Sequence, residues 1–136
     1  MTTDRVFLDA SAWIALRDAR EPLHARARLA AAELLRRRCT LVFTTLILAE
    51  THAYFARSPR TRWQILDDAE HNPALYCEPV TPLDQSGATA LLRQHRDKSY
   101  SFCDAVSFVV MRRLGLTRAF SFDDHFRQVG EFDTLG

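Results

Sequence analysis

Apolar residues recur along this chain in two rhythms. One is the short run with no polar break, such as Val6 to Leu8 and "TLVFTT", which reads as a strand buried on both faces. "ALYCEPV", "RAFSF" and a last short "FDTL" read as further strands. The other rhythm has the helical spacing. It predicts a helix over Ala10 to Asp18 and a long one in "LHARARLAAAELLRRR" after Pro22. "LILAETHAYFAR" follows, broken at "SPR", and then "RTRWQILDDAEHN", stopped near Pro73. "PLDQSGATALLRQHR" opens at Pro82, and the very apolar "CDAVSFVVMRRLG" is closed by Gly115. Strands alternate with helices, so the expected fold class is α/β, three layers around a mainly parallel sheet. No repeat, linker or low-complexity tract interrupts the pattern, and residues 1–136 read as one domain.

Composition narrows the class. A chain of 136 residues with 47% hydrophobic content can bury a real core. It shows neither a membrane-length apolar run nor a secretory start, which predicts a cytoplasmic protein with no membrane partner. Cys39, Cys77 and Cys103 form no CxxC pair, which argues against a disulfide framework or a cysteine zinc site. Cys39 and Cys103 read as small buried hydrophobes. The net charge of +1 excludes a strongly basic DNA binder. Every basic residue except Lys98 is Arg, with clusters at Arg36 to Arg38, at Arg57, Arg60 and Arg62, and at Arg112 and Arg113. Arg forks suit phosphates, and they also suit solvated helix faces.

The candidate chemistry lies in the acids. Asp9 ends the first strand, where open α/β sheets bind ligands, and it is equally placed to cap the next helix. Glu50 has Leu46, Ile47, Ala53 and Tyr54 as its helical neighbours, so it is expected on an apolar helix face. A carboxylate buried there without a partner costs about 2–7 kcal/mol or more, which calls for an Arg, a proton or a metal ion. Asp104 opens the most apolar helix, where "SFCD" also makes a capping box with Ser101. Asp97 stands just upstream, beside Lys98. Asp123 follows the strand-like "RAFSF", with Asp124 competing for any role and a simple turn as the alternative. Four acids at strand ends and the helices that follow can meet at one sheet edge. Such a cluster repels itself unless a cation sits in it. Oxygen ligands of this kind suit Mg²⁺ or Mn²⁺.

"FLDASAWIAL", "TTLILAETHAYF", "YSFCDAVSFVVMRRLG" and "AFSFDDHF" follow one another in an order that resembles the PIN-domain ribonucleases, most of all the VapC toxins of VapBC toxin–antitoxin pairs. The resemblance spans nearly the whole chain. It implies a three-layer α/β/α PIN domain and an acidic quartet for Mg²⁺ or Mn²⁺ made of Asp9, Glu50, Asp104 and Asp123. Ser11 matches a small hydroxyl residue that supports a ligand or phosphate. Ser121 takes the Thr place of the family's "T-x-D-x-x-F" pattern. Asp97 falls where some members carry an extra acid, and Asp124 doubles Asp123.

The implied reaction is endonucleolytic hydrolysis of RNA through water activated by the metal, leaving a 5′-phosphate and a 3′-hydroxyl. The five His, His52 and His125 among them, do not suggest an acid–base pair. Arg57, Arg60 and Arg62 are the candidate RNA contacts. The resemblance also implies a homodimer and an antitoxin whose C-terminal segment covers an apolar groove, with "LHARARLAAAELLRRR" and the "RWQIL" region around Trp63 as candidate walls. Two rivals differ in class. One is a PIN domain without activity that binds RNA or protein. The other is an aspartate-nucleophile phosphatase, disfavoured because "DAS" lacks the second acid and Lys98 is the sole Lys.

Overall fold

The structure, a computed structural model, describes residues 4–136. Five strands among these residues, β1 (Arg5–Leu8), β2 (Thr40–Phe43), β3 (Leu75–Cys77), β4 (Arg118–Phe120) and β5 (Asp133–Leu135), form one sheet in the order β3-β2-β1-β4-β5. Every pairing is parallel, so the sheet is more uniform than the mainly parallel one expected. Seven helices lie between them: α1 (Ala10–Arg17), α2 (His24–Arg36), α3 (Thr45–Tyr54), α4 (Pro59–His71), α5 (Pro82–Gln94), α6 (Phe102–Leu114) and α7 (Asp124–Gln128). None of them is long and apolar enough to cross a membrane.

The chain runs from β1 outward through β2 to β3, then crosses back to place β4 on the far side of β1. Right-handed crossovers therefore put α1 to α4 on one face and α5 to α7 on the other. The packing agrees: α1 touches α2 and α3, α3 touches α4, and α6 touches α5 and α7. Reversal of strand order between β1 and β4 opens a crevice beyond their carboxyl ends.

The three central strands β2, β1 and β4 are apolar after their first residue because helices cover both faces, while the edge strands β3 and β5 are only partly buried. Val6, Phe7, Leu8, Leu41, Val42, Phe43 and Phe120 are all buried. Trp13 of α1 meets Phe43 edge-on at 5.0 Å on one face. On the other, Phe126 of α7 stacks on Phe7 at 6.3 Å and meets Phe108 of α6 edge-on at 5.0 Å. Gly115 closes α6 with φ 70°, a left-handed conformation that glycine adopts without steric cost.

The short helix α7 was not expected from the sequence. Five residues are too few to show a 3.6-residue repeat. It forms because Asp123 caps it, accepting the backbone N–H of His125 at 2.9 Å, and because Phe126 anchors it in the core.

Candidate metal centre

Asp9 is delivered to the crevice by β1, and its backbone N–H donates to the Phe120 carbonyl of β4 at 3.1 Å. Its Oδ2 accepts the Ser11 N–H at 3.3 Å, the Ser11 hydroxyl at 2.6 Å and the Ser121 hydroxyl at 3.0 Å. Asp9 is thus the N-cap of α1, as one reading of the sequence has it, and it stands at the carboxyl end of β1. The serines work as a pair. Ser11 Oγ accepts the Phe122 N–H at 2.9 Å, and Ser121 Oγ accepts the Asp123 N–H at 3.0 Å. Each hydroxyl therefore ties the chain leaving β4 to the carboxylate that ends β1. Ser in place of Thr at 121 keeps the hydroxyl that this job needs.

Asp104 enters from α6, and its capping box is real. Ser101 donates its N–H to Asp104 Oδ2 at 3.0 Å, and Ser101 Oγ accepts the Asp104 N–H at 3.0 Å. Asp123 enters from the end of β4 as the cap of α7. Asp124 turns outward, is exposed, and pairs with Arg127 at 3.4 Å. Of the two neighbours it is Asp123 that joins Asp104.

His125 joins them, a residue that the sequence pattern gives no acid–base role. Its Nδ1 lies 2.7 Å from Asp104 Oδ2 and 3.4 Å from Asp123 Oδ1. Asp104, Asp123 and His125 each bring a ligand-type atom within 4.8 Å of the others, a group able to hold a metal ion. The signal was present in "FDDHF", where His125 stands two places after a strand-end acid.

Glu50 corrects an expectation. It sits on α3 as an exposed residue, and Ala49, Ala53 and Tyr54 of the same helix are exposed too. Only Ile47 and Thr51 of α3 are buried. A helix apolar on nearly all sides carries no periodic mark of which face meets the core, so the apolar neighbours of Glu50 misled. Its carboxyl is still influenced by the acids of the crevice, although it is not in the group of Asp104, Asp123 and His125. Desolvation first, and then the Asp9 charge, push it above the usual carboxylate range, while the Cys103 thiol donates to it and pulls the other way. Burial pushes the Cys103 thiol itself well up, far from thiolate character. Burial likewise raises the Asp9 carboxyl, with the hydroxyls of Ser11 and Ser121 opposing and the charges of Asp123 and Asp104 adding to it.

A shared pattern tests whether these residues fit a cation. Asp9 and Asp104 each spend Oδ2 on protein donors, and Asp123 spends Oδ1. The second oxygen of each has no hydrogen-bond partner among the described residues. No buried side-chain nitrogen or oxygen among those residues lacks a partner, so the free oxygens reach solvent in the crevice. Unclaimed carboxylate oxygens on Asp104 and Asp123 suit a hard divalent ion, while Asp9 and Glu50 stand outside the 4.8 Å group of Asp104, Asp123 and His125.

The remaining candidates lie apart from this group. Asp97 is exposed beyond α5 and pairs with Lys98 at 3.8 Å. Arg57 and Arg60 are exposed, and Arg62 sets its Nε and one terminal nitrogen 3.1 Å from the two ring nitrogens of His52. Trp63 is exposed. A separate cavity of about 310 Å³ between α2 and α4 is lined by Leu16, Arg17, Arg28, Ala31, Leu35 and Asp68 among others, and Trp63 is not part of it.

The family model of the PIN domain matches residues 6–132. The chain belongs to the PIN domain family. This PIN domain is 32% identical over 127 residues to the 23S rRNA-specific endonuclease VapC20 of Mycobacterium tuberculosis, covering 92% of the chain and 94% of that relative. The crystal structure of M. tuberculosis VapC20, titled a Sarcin-Ricin loop cleaving toxin, matches with a TM-score of 0.84 and 27% identity over 96% of this chain and 99% of that one. Two structures share the fold at 12% identity, each covering 96% of both chains. They are VapBC2 from Rickettsia felis bound to a promoter DNA fragment, TM-score 0.69, and FitAcB from Neisseria gonorrhoeae, TM-score 0.68. PIN nucleases use a divalent metal, and the acidic group of this PIN domain can hold one.

Proposed function

We propose that this PIN domain is a VapC-type endoribonuclease dependent on Mg²⁺ or Mn²⁺, that it cuts ribosomal RNA in the cytoplasm, and that an antitoxin holds it in check. The observation that supports the reading is the group of Asp104, Asp123 and His125 at the carboxyl end of the sheet, with Asp9 ending β1 at the same edge and each of the three acids keeping one oxygen free of hydrogen bonds. The choice of ribosomal RNA is supported by the likeness to the 23S rRNA-specific endonuclease over nearly the whole chain.

Asp9, Glu50, Asp104 and Asp123 would hold the ion. When bound, a divalent ion supplies acidified water and neutralises charge on the scissile phosphate. The protein's own part is orientation. Ser11 and Ser121 fix the Asp9 carboxylate, and the Ser101 N–H fixes that of Asp104. Mutual repulsion of the acids keeps the metal-free crevice ready for a cation, since bringing in positive charge relieves it. Exposed Arg57 and Arg60 supply phosphate contacts that an acidic crevice cannot, and Arg62 lies against His52 close in sequence to them. The groove between α2 and α4, apolar within and edged by Arg17 and Arg28, is the proposed seat of the antitoxin segment.

The test is cleavage of purified ribosomes mapped by primer extension. Wild type with Mg²⁺ or Mn²⁺ is expected to cut 23S RNA at a discrete site, and Asp9→Asn, or wild type in EDTA, to leave it whole. Undiminished cutting by Asp9→Asn or in EDTA overturns the mechanism. Cutting confined to another RNA overturns the substrate.

A further inference from the structure

The acidic quartet leaves His125 without a role, although it makes one of the shortest polar contacts in the crevice. Its Nδ1 faces two carboxylate oxygens, which only accept, so Nδ1 carries the hydrogen. In the neutral ring Nε2 is then the acceptor, and the Ser99 hydroxyl lies 3.1 Å from it. The Tyr100 ring meets the imidazole edge-on at 5.4 Å. His125 is therefore held from behind by Ser99 and Tyr100 and aimed at Asp104 of α6 and at Asp123, the cap of its own helix. The oxygens it takes are informative. Asp104 Oδ2 already accepts the Ser101 N–H at 3.0 Å, and Asp123 Oδ1 already accepts the His125 backbone N–H at 2.9 Å. The ring adds a second donor to an oxygen that is already engaged and leaves the opposite oxygen free.

We infer that His125 is a positioning residue: it clamps Asp104 and Asp123 by their rear oxygens, so that their free oxygens present one prearranged edge to a divalent cation. The clamp joins the N-terminus of α6 to the cap of α7, two elements that the α6 capping box and the Asp123 cap orient only separately. Outer partners of this kind fix ligand geometry, and losing one typically weakens metal binding about 10- to 100-fold. The inference rests on the metal-site reading above.

The experiment measures Mn²⁺ binding to the full chain by electron paramagnetic resonance, for wild type, His125→Ala, His125→Asn and Ser99→Ala. Thermal melts in EDTA check that each variant is folded. His125→Ala is expected to lose about 10- to 100-fold in Mn²⁺ affinity. His125→Asn, whose amide N–H can replace Nδ1–H, should recover most of it, and Ser99→Ala should lose only a few-fold. With RNA, His125→Ala should lower kcat at an unchanged KM. Wild-type affinity in His125→Ala overturns the clamp while leaving the metal site intact. A strong ¹⁴N coupling to bound Mn²⁺ in wild type, absent in His125→Ala, also overturns it, because the ring would then be a ligand. Absence of Mn²⁺ binding in wild type overturns the metal-site reading and the clamp together.

Discussion

Asp84 and Asp104 hold the same position in two helices packed side by side. Each is the third residue after a hydroxyl cap, and each accepts that cap's backbone N–H, from Thr81 at 2.9 Å and from Ser101 at 3.0 Å. What lies opposite differs. Arg113 reaches Asp84 with two nitrogens, each 2.9 Å from a different oxygen, so both oxygens are engaged and the carboxyl is held below its usual range. Asp104 faces other acids and His125, and keeps one oxygen free. The same local device closes α5 structurally and opens a site at α6. A capping box accounts for one carboxylate oxygen, and the role of the residue is set by what the other oxygen meets.

The largest separation between the two should be in catalysis. Asp104→Asn should lower RNA cleavage by roughly a hundredfold or more, as when one preorganised charged group is removed from an active site. Asp84→Asn should leave cleavage per folded molecule unchanged, and equal losses in both would erase the distinction. Stability should separate them in the opposite sense. Asp84→Asn strips Arg113 of its charged partner and should cost about 1–3 kcal/mol in urea unfolding. Asp104→Asn, measured in EDTA, should cost little or even stabilise, because it removes one of several crowded charges while its amide oxygen still accepts the Ser101 N–H.

The smallest difference is in pH dependence. Asp84 ionises in the folded chain below the ordinary value of roughly 4. Its stabilisation is therefore full above that value and is lost as pH falls through the lowered one. Asp9 is raised by burial, so the folded chain holds that proton more tightly than the unfolded one does. Its contribution is full below the ordinary value and is lost as pH rises through the raised one. Metal-free Asp84→Asn should accordingly flatten the acid side of the stability profile, and Asp9→Asn the side toward neutrality. Urea midpoints from about pH 3 to pH 8 in EDTA read both slopes, and profiles parallel to wild type would contradict the two assignments.

How much of this was legible in the sequence depended on the length scale of each signal. The strands and the six longer helices announce themselves through apolar runs, helical spacing, Pro82 at a helix start and Gly115 at a helix end, whereas Pro59, read as a break, is the first residue of α4. The strand-end acids Asp9 and Asp123 were legible because chain order and a parallel sheet bring strand ends to one edge. Glu50 was found for a partly wrong reason: its apolar neighbours signalled burial, whereas Ala53 and Tyr54 stand exposed with it. His125 and α7 escaped because their meaning lies in contacts with α6, 21 positions away in the case of Asp104, and no local periodicity encodes that distance.

The strand order has a consequence in time. Asp9 directly follows β1, which is synthesised before the other four strands, yet its supporting hydroxyl on Ser121 is 112 positions downstream. β1 gains its second neighbour, and the crevice its far wall, only when β4 arrives. Chains that stop short of β4 carry Asp9, Glu50 and Asp104 but no cleft to gather them. A sheet whose central strand precedes the other four and whose closing strand comes late brings its acids together only once nearly all of residues 4–136 have been made.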